Sequence, residues 1–227
     1  MNQLTRACSL SLGFALAITA CDGPAVLDAP AGGQSIESIS AALTGASTLI
    51  DAHFNTGTLD DGFVFVKDPF RGTHAPAYEL GAVSPSNGFN GTGTIEVVLG
   101  GLDDADILGM SGGWRKSFTL AAAASVTVTF RFNLLQSANY ESDEYADANL
   151  SLDATLVGPN GATRLARISG DGEGGPVRST GWQQITLNLG SVAAGTHTLT
   201  FGGFNNKKTD SSEISEVNID DVLVTAF

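Results

Sequence analysis

Cysteine, histidine and basic side chains are all scarce in this 227-residue chain, and each shortage removes a class of function. The three histidines, His53, His74 and His197, have neither Glu-x-x-His nor His-x-His spacing, so no zinc centre is encoded. Lysine and arginine number 11 against 24 aspartates and glutamates, a net charge of −13. Binding phosphate requires a basic footprint, so nucleic acid is excluded as a partner, and an anionic bilayer surface would repel the chain as well. No Gly-x-Ser-x-Gly elbow is present to carry a serine nucleophile. No fixed period of repetition runs along the chain, which argues against a propeller or solenoid. The two cysteines are Cys8 and Cys21. Cys8 lies inside an apolar leader, so once that leader is removed a single thiol remains and no internal disulfide can form.

That leader consists of Arg6 followed by Leu10-Ser11-Leu12-Gly13-Phe14-Ala15-Leu16-Ala17-Ile18, too short to cross a bilayer core of ~30 Å as a helix. It has the composition of an export signal. Its end, Ile18-Thr19-Ala20-Cys21, resembles the lipobox of bacterial lipoproteins, where a branched residue and two small ones precede the acylated cysteine. The resemblance implies cleavage before Cys21, a diacylglycerol on its thiol, and residence in the bacterial cell envelope on the extracytoplasmic side of a membrane. Two or more acyl chains are needed for stable anchorage. Residues 21–47 are small and polar and contain no aromatic side chain, and they are expected to form a tether. The expected organisation is a leader over 1–20, a lipidated tether over 21–47 and one domain over 48–227.

The domain reads as all-β. In Ser125-Val126-Thr127-Val128-Thr129-Phe130-Arg131-Phe132-Asn133-Leu134 the even positions are apolar and the odd ones polar, the period of a strand with one buried face. The same logic runs through 146–156, where Asp147, Asn149, Ser151, Asp153 and Thr155 face away from the aliphatic side chains; one polar sheet face is expected to be solvated, and the face of Asn149, Ser151 and Asp153 is the candidate for an open groove. Gly158-Pro159-Asn160-Gly161 then carries turn chemistry. Further strands are expected at 48–51, 62–66, 94–99, 116–120, 163–168, 182–189, 196–201 and 217–225. About ten strands without a long helix predict a two-sheet antiparallel sandwich.

Leu49-Ile50-Asp51-Ala52-His53-Phe54 with Asp61-Gly62-Phe63 at one end, and Val217-Asn218-Ile219-Asp220-Asp221-Val222-Leu223-Val224 at the other, resemble the first and last strands of extracellular jelly-roll modules. That group contains MAM-like, concanavalin A-like and carbohydrate-binding-module-like domains. The resemblance implies a jelly roll, a non-catalytic binding or adhesive role toward carbohydrate or a surface protein, and a structural calcium at the acidic residues of the last strand, with Asp51 as their partner. The residues give a related reason. Alternation is expected to turn one of Asp220 and Asp221 inward among Ile219, Val222, Leu223 and Val224, and a buried carboxylate needs a cation, a basic side chain or backbone amides.

Glu141-Ser142-Asp143-Glu144-Tyr145-Ala146-Asp147 is the densest acidic stretch, and on a strand Glu141, Asp143, Tyr145 and Asp147 would share a face. It offers a ligand or ion site, or a solvated edge. As an alternative function, its paired carboxylates could serve a polysaccharide-active enzyme, since a retaining glycosidase needs an acid and a nucleophile ~5 Å apart. Its resemblance to the Glu-x-Asp-x-x-Glu pattern of sandwich glucanases fails at the third carboxylate and at the spacers. Trp114, Tyr140, Tyr145 and Trp182 are the aromatic residues that could stack on sugar rings, and Asn205, Asn206, Lys207 and Lys208, placed in a polar loop after Phe204, suit hydroxyl recognition.

Overall fold

The structure, a computed structural model, describes residues 45–59, 61–71 and 75–227. The leader, Cys21, most of the tether and His74 lie outside the described residues. The rest is an all-β, two-sheet antiparallel jelly-roll sandwich.

The first sheet contains β1 (Ser47–Ala52), β3 (Glu79–Ser84), β4 (Thr94–Gly100), β6 (Ala124–Gln136), β10 (Arg178–Ser179), β11 (Gln183–Val192) and β13 (Ile214–Ala226). Strand β13 lies between β6 and a flank shared by β4 and β1, while β11 and β10 pair in turn along the other side of β6. The second sheet runs β2 (Val64–Lys67), β5 (Ile107–Leu120), β12 (Gly195–Lys208), β7 (Tyr145–Leu152), with β8 (Thr155–Val157) and β9 (Ala166–Ser169) both pairing with β7.

Alternation decides what fills the space between the sheets. Val126, Val128, Phe130, Phe132 and Leu134 of β6 are all fully buried, opposed by Trp114, Leu150, Leu199 and Phe201 of the second sheet. Phe130 and Phe201 meet edge to face with centroids 5.0 Å apart, which ties the two layers together. Each such ring contributes ~1.5–3 kcal/mol by leaving water. Trp114 belongs to this core, and its indole N–H donates to the Glu96 carbonyl at 2.9 Å.

Three expectations change. The strand expected over 146–156 is broken by a tight turn at Asp153 and Ala154, both with positive φ (48° and 66°). Asn149 and Ser151 do not line an open groove: both are buried, because the segment 68–71 runs over that face. Its Pro69 packs near Gly113, its Phe70 N–H donates to Ser111 Oγ, and its Arg71 reaches Asp147. Strand β12 also continues through Lys208, so Asn205, Asn206 and Lys207 belong to a strand, not to a loop.

Candidate functional site

The acidic pair of β13 sits at an irregularity. Strands β13 and β6 lose register between Asp220 and Leu223, and Asp221 has φ 51°, a bulge that inserts an extra residue into β13. Ile219, Val222 and Val224 therefore face the core while neither carboxylate does. Asp220 is buried beneath the 88–92 turn. It accepts hydrogen bonds from the Phe89 N–H (2.9 Å), the Thr92 hydroxyl (2.9 Å) and the Asp221 N–H (2.7 Å), with burial raising its pKa.

Asp221 points to the open side, where Asp51 does meet it, but across a histidine. His53 Nδ1 lies 2.9 Å from Asp221 Oδ1, and its Nε2 lies 3.0 Å from Asp51 Oδ1. The hydrogen bond with Asp221, together with the nearby Asp51 charge, raises the His53 pKa against a smaller opposing effect of burial. Arg131 Nε donates to the other Asp221 oxygen at 3.1 Å. The calcium cradle expected from Asp51, Asp220 and Asp221 does not fit this geometry. Amides and a hydroxyl occupy Asp220, and an imidazole and a guanidinium occupy Asp221.

What these residues do build is a row across the outer face of the first sheet. The Arg131 guanidinium stacks 3.8 Å over the Phe89 ring, and Trp182, half-buried, meets Phe89 edge-on at 6.3 Å. Beside them is a shallow depression of about 190 Å³ lined in part by Asp51, His53, Thr129, Arg131, Gln184 and Asp221. Gln184 and Thr186 of β11 are exposed next to it, so this face remains open to water. The row thus places an aromatic edge, a guanidinium, carboxylates, an amide and a hydroxyl side by side.

The other expected residues divide among structural tasks. Residues Glu141 to Glu144 form a turn, and only Tyr145 and Asp147 lie on β7, so the four expected side chains do not share a strand face. Asp147 is fully buried: Arg167 donates to both of its oxygens (2.6 and 2.8 Å), and Arg71 donates to Oδ2 at 2.6 Å. Arg167 also covers the Tyr145 ring at 3.6 Å, and Arg71 covers Phe204 at 4.4 Å. Asn206 accepts from the Tyr145 N–H and donates to the Asp143 carbonyl, while Lys207 donates to the Asp143 carboxylate at 3.3 Å. Tyr140, Asn205 and Ser215 form a buried hydrogen-bonded set between the sheets.

Next to that set, Glu144 and Glu213 are buried and Glu141 is half-buried, with one ligand oxygen of each lying within 4.8 Å of the others. Burial, then the neighbouring Glu141 carboxyl, pushes Glu144 up to about 8. Sequence reasoning singled out Glu141 but missed Glu144 and Glu213, since nothing local to Glu213 shows that β13 begins beside the turn at 141–144. It also missed Arg131, His53, Gln184 and Phe89 as one surface.

No protein-family model matches the chain, and no curated protein matches it. The solved structures that it is similar to include two binding modules and an adhesin domain. The K1 cleaved adhesin domain of Lys-gingipain from Porphyromonas gingivalis W83 is 18% identical (TM-score 0.42), with 80% of this chain and 99% of that chain covered. The module TmCBM61, solved in complex with β-1,4-galactotriose, is 14% identical (TM-score 0.40; 78% and 95% covered). A family 35 carbohydrate-binding module from Clostridium thermocellum is 10% identical (TM-score 0.31; 79% and 96% covered).

Proposed function

We propose that this chain is a non-catalytic binding module that takes carbohydrate across the outer face of its first sheet, held outside the cytoplasm by acyl chains on Cys21. The observation that carries the reading is the continuous row Trp182, Phe89, Arg131, Asp221, His53 and Asp51 beside the depression at Gln184. A sugar ring presents an apolar C–H face together with hydroxyls that both donate and accept. The row supplies an aromatic surface, a donor fork, acceptor carboxylates and an amide that does both. At about 190 Å³ the depression is smaller than the ~300–1,000 Å³ of sites that engulf a small molecule, which suits a chain lying across the face.

The enzyme reading loses its third member to structure. Asp147 is fully buried and both of its oxygens are held by guanidinium groups, so it faces no substrate. Lipid anchorage rests on Ile18-Thr19-Ala20-Cys21 and is tested by labelling cells with palmitate. Label on the wild-type chain should vanish in Cys21→Ala, and an unlabelled wild type would refute the anchor.

For the binding face, a glycan array followed by calorimetry on the full chain is the test. Trp182→Ala and Arg131→Ala should each weaken the best glycan by about thirtyfold, the effect of removing a central contact. A blank array, with pull-downs returning envelope proteins, would replace carbohydrate by a protein partner.

A further inference from the structure

We propose that Glu141, Glu144 and Glu213 hold a calcium ion where the turn before β7 meets the start of β13. Three carboxylate oxygens within 4.8 Å of one another can share one ion, because 4.8 Å is about twice a calcium–oxygen bond of ~2.4 Å. The site is built into the fold. Glu144 Oε2 accepts the Glu141 N–H at 3.0 Å, and Glu213 Oε2 accepts the Asp210 N–H at 3.1 Å, so backbone amides fix two of the three carboxylates in place.

Acidic residues cluster on many surfaces without an ion, and here a second observation points to a ligand. Glu144 is fully buried, yet its Oε1 accepts no hydrogen bond; the nearest cation is the Lys207 ammonium, 3.3 Å away and shared with Asp143. Farther in, both amide atoms of the buried Gln136 also lack partners. Gln136 lies opposite Ser215, whose hydroxyl belongs to the Tyr140 and Asn205 set. A buried carboxylate is costly unless its charge is balanced, and Lys207 is shared between Asp143 and Glu144 while two further carboxylates, Glu141 and Glu213, stand beside it.

The ion has an entry and further oxygen donors. A cleft of about 410 Å³, lined by Asn139, Glu141, Glu173, Thr209, Asp210 and Glu213 among others, opens onto the cluster. The Thr209 hydroxyl lies 3.4 Å from both Glu141 oxygens. Calcium takes six to eight oxygens, and carboxylates with hydroxyl, amide and water oxygens supply that number. An all-oxygen set selects a hard cation over zinc or copper. The ion would pin the turn at 141–144 to the head of β13, joining the two sheets where the apolar core gives way to polar side chains. This site is independent of the carbohydrate face.

The experiment is thermal unfolding of the full chain in EDTA and in calcium, supported by terbium luminescence sensitised through the adjacent Tyr140. At a hundredfold excess over its Kd, calcium should raise the melting temperature by about 5–10 °C. Glu144→Gln and Glu213→Gln should abolish the rise measured against each variant's own EDTA value, and should also abolish the terbium signal. Asp51→Asn should keep both. A melting temperature that millimolar calcium leaves unchanged, or a rise that survives in both glutamate variants, overturns the proposal.

Discussion

A carboxyl removed from water must be answered by hydrogen bonds, by a counter-charge or by a proton, and this chain uses each answer. Asp220 is met by two N–H groups and a hydroxyl, and Asp147 by two guanidinium groups. Glu79 takes the third route. It is buried and accepts the Asp68 and Ser111 N–H groups, and burial pushes it up to about 7 from 4.5. Between those values the folded chain binds the Glu79 proton more tightly than the unfolded chain does, so this group's contribution to stability falls as pH rises from about 4.5 through 7. Urea midpoints should therefore drop between pH 5 and pH 8, and Glu79→Gln should drop less; equal losses in the two proteins would contradict the assignment. The need for an answer was legible at Asp220 and Asp221, where acidic residues interrupt an aliphatic run. Which answer was not legible, because the bulge at Asp221 and the turn at 88–92 arise from pairing with residues distant in sequence.

Among the elements, legibility followed side-chain period. Strand β6 could be read directly, since ten residues alternate without interruption. The first half of β5 could not, because Gly109, Ser111, Gly112 and Gly113 read as loop. The glycines there have a packing reason: Gly113 and Gly202 pair across β5 and β12, and a Cβ on Gly202 would fall 2.1 Å from the Gly112 carbonyl oxygen. Gly202→Ala should accordingly lower stability by about 2 kcal/mol or more, read from urea unfolding. Gly45→Ala, with nothing within 4 Å of its Cβ, should have no effect. Comparable stability in the two variants would mean that the strands separate at no cost. The turn at Asp153 and Ala154 was hidden because Asp153 continues the polar alternation of the preceding residues and alanine does not advertise positive φ.

For the whole molecule, the sequence established two sheets and their buried faces but not which outer face stays open. The groove was expected on the face of Asn149, Ser151 and Asp153, whose alternation is plain. That face is closed by residues 68–71, a segment nearly eighty positions earlier that carries no mark of where it will lie. The open face belongs to the other sheet, and its site draws Asp51 and His53 from one end of the chain, Asp221 from the other, and Phe89, Arg131 and Trp182 from between. Trp182, Asp51 and Asp221 were each singled out from sequence, but for separate purposes, because their meeting depends on β1 and β6 flanking β13. The most direct test of the account is an NMR titration of the isotope-labelled chain with its best glycan. The account predicts shifts at the Trp182 indole, the Arg131 and Gln184 side chains and the β11 amides, with the Tyr145 and Arg167 face unmoved. Shifts confined to the second sheet or to the cleft at Glu141 would contradict it.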